Sequence, residues 1–262
     1  MYLVDLRSHV SDTDSRRELF TETAGVWETL CAQMDPEELL WVVAPNEYRS
    51  GELWPVAMAT AEQARSEAEL TLKNTVTVHD WRERGGEPDL QSAHVELLLL
   101  VSDQSAYQFH KDEIRIAHAY QGNEWGEDRQ EGNSSYHDTT VRRYNPEGRD
   151  PGNVWVDADR TQTEGQEVDE ITPFPLSEAV RRCVRVGSSE GDRVSTLWTD
   201  ELDEVIIAEN REVARLDPET ARPEPEDTPP ESTVTQSDSE EAPPRCEEAR
   251  PDSPTRPSEV EN

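Results

Sequence analysis

The sequence predicts an α/β protein built on a mainly parallel sheet with helices on both faces. Two observations carry that expectation. Strand-like and helix-like segments alternate along the amino-terminal part of the chain. Two of the strand-like runs, LLWVVA (Leu39 to Ala44) and HVELLLLV (His94 to Val101), are apolar almost throughout, as strands covered on both sides are.

Taken in order, Tyr2 to Leu6 is a short apolar strand. From Ser15 to Met34, residues Leu19, Phe20, Val26, Trp27 and Leu30 recur at helical spacing, and Asp35-Pro36 ends the helix. Leu39 to Ala44 is a buried strand, and Asn46 to Gly51 a turn. Pro55 to Leu70 is rich in alanine and carries its proline near the start, as a helix does. Leu72 to Trp81 alternates in the manner of a strand. A polar stretch, Arg82 to Gln91, with the breaker pair Gly85-Gly86, separates it from the strand His94 to Val101. Residues 118–170 read as irregular, with a strand-like patch at Asn153 to Asp157. A helix from Leu176 to Val186, a strand at Glu204 to Ala208 and a helical turn or two from Asn210 to Leu216 complete a folded part spanning 1–216.

The segment 217–262 is of another kind. It holds ten of the eighteen prolines, repeated Ser, Thr and Glu, and little aliphatic beyond Val234 and Val260. Such a composition cannot bury enough apolar surface to offset the entropy of ordering, so a disordered acidic tail is expected. Charge is extreme throughout: 58 acidic against 25 basic residues, net -33, with Lys73 and Lys111 the only lysines. Carboxylates spread over the folded part as well as the tail suit a protein working in concentrated salt, where self-repulsion is screened. The same charge disfavours electrostatic binding to nucleic acid in dilute buffer, and Arg142-Arg143 and Arg181-Arg182 are too short to make a basic surface. Cys31, Cys183 and Cys246 are scattered, with neither disulfide nor zinc spacing, and no metal site is expected. No secretory pattern opens the chain and no apolar run reaches membrane length, so the expected location is the cytoplasm, without a membrane partner.

Several segments, in their order, resemble the circularly permuted DNA methyltransferases that alkylate adenine N6 or cytosine N4. They are Val4-Asp5-Leu6; LLWVVAPNEY; NTVTVHDW followed by AHVELLLLV; Tyr107, Phe109 and Arg115; NPEGRDPGNVW; and Thr172-Pro173-Phe174-Pro175-Leu176. The resemblance covers nearly all of 1–216. It implies a Rossmann-like fold that binds S-adenosylmethionine, double-stranded DNA as partner, and a role in DNA methylation of the restriction-modification kind.

Two departures bear on activity. Active members carry a polar residue, two prolines and an aromatic ring after the first strand, where the ring stacks on the flipped base. Here that loop is Arg7, Ser8, His9, Val10 and Ser11, with no proline or ring of that type. Members also run from a GDxV segment into a glycine-containing turn that holds the cofactor. Gly191-Asp192-Arg193-Val194 is instead followed by Ser195-Thr196-Leu197-Trp198-Thr199-Asp200-Glu201, which lacks both glycines and brings in two carboxylates. The resemblance leaves Glu209, Trp198, Asp192, Phe174 and Pro175 as cofactor-binding candidates, with Glu209, at the end of the strand EVIIA, in the place that receives ribose hydroxyls. His94 and Glu96 share one face of their strand and are placed to orient a loop. His110 to His118 lacks the HExxH spacing of a zinc hydrolase. The expectation is a degenerate methyltransferase of weak or lost activity. The alternative is a non-catalytic DNA-associated or protein-interaction module acting beside an intact methyltransferase.

Overall fold

The computed structural model describes residues 1–49, 51–79, 94–116, 147–156, 174–199 and 201–218. The polar stretch 82–91, most of 118–170 and all of the tail after Pro218 lie outside the described residues.

Nine strands are described: β1 (Tyr2–Asp5), β2 (Leu40–Pro45), β3 (Glu47–Arg49), β4 (Glu52–Trp54), β5 (Thr71–His79), β6 (His94–Val101), β7 (Val154–Trp155), β8 (Arg193–Leu197) and β9 (Glu212–Arg215). The helices are α1 (Arg7–Asp12), α2 (Arg16–Glu22), α3 (Val26–Gln33), α4 (Val56–Ala68), α5 (Leu176–Gly187) and α6 (Asp203–Ala208), with a 3₁₀ turn at Lys111–Ile114. Seven strands form one sheet in the order β7-β5-β6-β2-β1-β8-β9, while β3 and β4 pair as a separate hairpin. The sheet is parallel except at β6, which runs antiparallel to both β2 and β5. An antiparallel neighbour does not need the long crossover that a parallel one requires.

The period-two alternation of each strand divides the core between two faces. Leu3, Trp41, Val43, Val78, Val95 and Leu97 pack with Val180, Cys183 and Val184 of α5 and with Ile206 of α6. Tyr2, Val4, Val42, Leu98 and Leu100 pack on the other side with Trp27 and Leu30 of α3 and with Ala57 and Ala64 of α4. The expected sheet with helices on both faces is therefore what the chain forms.

Four local expectations are corrected. The helix expected across Ser15 to Met34 is two helices. The Ser15 hydroxyl caps the first by accepting from Glu18 N–H at 3.2 Å. The break falls at Gly25, whose φ of 76° is a conformation glycine adopts without strain. The turn expected at Asn46 to Gly51 contributes most of the β3–β4 hairpin. Glu204 to Ala208 lies in α6 rather than a strand: Leu202 and Ile206, four apart, enter the core while Ile207 is 59% exposed, which is helical and not strand periodicity. Asn210 to Leu216, expected as helical turns, carries β9 instead, and β8, unread in the sequence, stands in the middle of this half of the sheet.

Candidate functional site

In an open α/β sheet, ligands bind outside the carboxyl ends of the strands, at the point where strand order reverses. From β1 the chain proceeds to β2 on one side, and from β8 to β9 on the other. The reversal therefore lies between β1 and β8, and the residues that follow these two strands define the candidate crevice.

Asp5 ends β1 and is 4% exposed. Its carboxylate is fully engaged by Arg7: Nε donates to both oxygens at 3.1 Å, Nη2 to Oδ2 at 2.7 Å, and the backbone N–H to Oδ1 at 3.0 Å. Glu201 stands 3.7 Å from the same guanidinium. A buried carboxylate of this kind is stable only because it is paired and hydrogen-bonded. Arg7, Ser8, His9 and Ser11, expected in a loop, lie in the helix α1. The Ser8 and Ser11 side chains face outward, and the Ser11 carbonyl accepts from Arg49 Nη2 at 3.1 Å.

At the end of β8, Trp198 takes φ 61°, the left-handed conformation a glycine turn would supply, but with an indole attached. Its ring meets the His9 imidazole at a 60° tilt, with centroids 4.0 Å apart. Thr199 donates its hydroxyl to Asp203 Oδ1 at 2.7 Å, and Arg215 Nε donates to Asp203 Oδ2 at 2.6 Å. Asp200 lies outside the described residues. Ion pairs and a tilted ring contact thus stand at the carboxyl ends of both strands.

The other candidates are dispersed. Asp192 accepts from Ser189 N–H at 2.7 Å in the turn entering β8, at the amino end of the strand. Phe174 is buried at the β5 side of the sheet: its N–H donates to the His79 carbonyl, its ring sits 6.2 Å from Trp155, and the Arg182 guanidinium covers it at 4.7 Å. Pro175 is exposed and precedes α5.

The reading of Glu209 is corrected by the exchange of helix and strand around it. It closes α6 ahead of β9, so it belongs to the amino edge of the sheet, away from the crevice. Arg185 binds it with two hydrogen bonds of 2.7 and 3.1 Å, and Arg181 Nε is 2.9 Å away. These arginines, Arg185 foremost, hold the Glu209 carboxyl below the ordinary glutamate range. It lines a cavity of about 450 Å³ with His110, Glu113, Arg185, Ser188, Ser189, Glu190 and Arg211. The acid that follows β9 at the carboxyl end is Asp217. The signal is in the sequence, an acid directly after the run EVARL, but composition groups Asp217 with the tail and so conceals it.

No family model and no curated protein matches the sequence. Among solved structures, the chain is similar to the PvuII DNA methyltransferase (cytosine-N4-specific), with 9% identity over 84% of this chain and 76% of that one and a TM-score of 0.51. It is also similar to a candidate DNA modification methylase of Thermus thermophilus complexed with S-adenosyl-L-methionine, with 14% identity over 82% and 77% and a TM-score of 0.49. The first likeness shows the fold: a mainly parallel, Rossmann-like sheet flanked by helices. Among the described residues no helix is long and apolar enough to cross a membrane.

Proposed function

We propose that this chain is a degenerate, circularly permuted relative of the DNA amino-methyltransferases. Its ancestral reaction is methylation of adenine N6 or cytosine N4 with S-adenosylmethionine, and its own activity is weak or lost. One observation carries the reading: after β1 and β8, where a ligand would enter, the described side chains contact one another, in a sheet with a buried apolar cluster on each face. Direct methyl transfer needs the sulfonium and a flipped base amine in one crevice, with reacting atoms about 3–3.5 Å apart. Here the Trp198 and His9 rings and the Asp5–Arg7 pair hold that space, and a helix stands where the base-holding loop belongs. The residues present do not fit S-adenosylmethionine. Asp217, one strand from Trp198, has the position from which an acid reaches ribose hydroxyls, but alone it supplies neither the sulfonium cradle nor the base site.

The second reading, a non-catalytic module acting beside an intact methyltransferase or on DNA, is favoured by the same contrast. Each face of the sheet keeps a buried apolar cluster, while the crevice residues engage one another. In this reading the protein works in the concentrated salt of a cytoplasm, and 217–262 serves as a solvating or docking tail.

Calorimetry with S-adenosylmethionine in molar potassium chloride is the test, paired with transfer of labelled methyl groups to DNA. No heat at micromolar ligand and no labelled DNA are expected. Micromolar binding together with DNA labelling would overturn the loss of activity. Gel retardation in the same salt then separates a DNA-associated module, which shifts the duplex, from a protein-interaction module, which does not.

A further inference from the structure

A second cavity, of about 330 Å³, is lined by residues other than those of the crevice, from α2, the end of β4 and the start of α4. Helical spacing builds two of its walls. Arg16, Arg17 and Phe20 stand four and three residues apart and share one side of α2. Pro55, Val56 and Ala59 have the same spacing where α4 begins. Trp54, the last residue of β4, completes the lining. Trp54 and Val56 are buried, and Phe20 and Ala59 are half-buried, so the walls are apolar and fixed by the core.

The indole is held in place from the β3–β4 hairpin. The Arg49 guanidinium stands over its ring, 4.7 Å from the centroid, and donates in turn to the carbonyls of Val10, Ser11 and Thr13. A ring clasped in this way does not swing into the space beside it.

The rim carries the opposite chemistry. Arg16 is shared with Glu52, Nη2 to Oε1 at 2.7 Å. Arg17 is exposed, and among the described residues its guanidinium has neither a hydrogen bond nor an ion pair. Acidic residues outnumber basic ones by 58 to 25, yet no described carboxylate has taken this cation. Two arginines against one glutamate leave one positive charge beside an apolar wall. Apolar walls with a few charged groups are the pattern of small-molecule sites, whose volumes begin at about 300 Å³.

We propose that this cavity binds a small organic monoanion, with an aromatic or branched apolar body against Phe20, Trp54 and Val56 and a carboxylate on Arg17. The planar guanidinium fork matches a carboxylate, and a single negative charge balances the single uncompensated cation. A more highly charged anion would meet Glu52. In molar salt, charges act over about 3 Å, so burial supplies most of the affinity and the direct Arg17 contact supplies the preference for an acid. The site requires neither S-adenosylmethionine nor DNA, and its test stands whether or not the chain methylates anything.

The full chain in molar potassium chloride is titrated calorimetrically with 4-phenylbutanoate and with its uncharged counterpart, 4-phenylbutan-1-ol. One equivalent of the acid is expected to bind with a Kd below about 1 mM, and the alcohol about fivefold more weakly. Arg17→Gln should bring the acid down to the affinity of the alcohol without moving the melting temperature, since the replaced group holds nothing in the fold. Ala59→Phe fills the space and should abolish binding of both. Equal affinities of acid and alcohol in the parent would overturn the proposal, as would acid binding that survives Arg17→Gln unchanged or no binding at millimolar ligand. Sedimentation showing that the parent dimerises and Ala59→Phe does not would assign the cavity to a second copy of the chain and overturn it equally.

Discussion

The two ends of the β1–β8–β9 half of the sheet are treated differently. At the carboxyl ends, where the topology places a ligand, Asp5 is held by Arg7, Asp203 by Thr199 and Arg215, and Trp198 meets His9. At the amino ends, where side chains ordinarily serve stability alone, an open charged cavity of about 450 Å³ remains around Glu209. Polar groups that a working crevice keeps for its ligand are here satisfied by one another. Keeping a fold and keeping a site are separate demands: a core needs apolar volume in the right pattern, whereas a cofactor crevice needs a gap and a backbone free to approach it.

The contrast is broken most directly at the scaffold. Trp27 of α3 is fully buried against the sheet. Trp27→Ala should cost about 3–5 kcal/mol, read as the change in unfolding free energy by urea titration in molar salt. A loss below about 1 kcal/mol would mean that the scaffold is as loosely held as the site, and the comparison would collapse. Trp198→Gly probes the other side and is expected to cost only about 1 kcal/mol. Losing the half-buried ring and its contact with His9 is offset by relief of a left-handed non-glycine backbone, worth about 1–2 kcal/mol. The same variant should raise the affinity for S-adenosylmethionine in calorimetry. An unchanged affinity would show that the indole is not what shuts the crevice.

What the sequence discloses follows the apolar pattern. The strands β1, β2, β5 and β6 and the helices α4 and α5 are legible because each buries a stripe or run that periodicity detects. β8 is not, since Ser195 and Thr196 interrupt its apolar residues although both are buried. The β-branched run in EVIIA imitates a strand, and only the burial of Leu202 with Ile206 exposes the helix. That exchange carries Glu209 to the wrong end of the sheet and hides Asp217. The absence of glycine around Trp198 is plain in the sequence, while the left-handed backbone that persists there and the Arg7 clasp on Asp5 are tertiary facts that no local pattern encodes.

The smallest effect belongs to the open end and is best seen through pH. Arg185, with Arg181 beside it, holds the Glu209 carboxyl below its ordinary range, so the unfolded chain takes up the proton at higher pH than the native one. The stabilisation is therefore complete above the ordinary glutamate value of about 4.3 and disappears as pH falls through the lower native value. Glu209→Gln keeps the shape and removes the charge. It should cost less than about 1 kcal/mol at neutral pH, because Arg185 is 41% exposed and its pairing is screened. Acid protonates the other carboxylates of parent and variant alike, so the informative quantity is the difference between their urea midpoints. That difference should be largest near neutrality and vanish in acid, where a protonated glutamate and a glutamine are nearly equivalent. A gap that held constant or widened on acidification would assign the cost of the variant to packing, and the amino end would then be as tightly committed as the crevice.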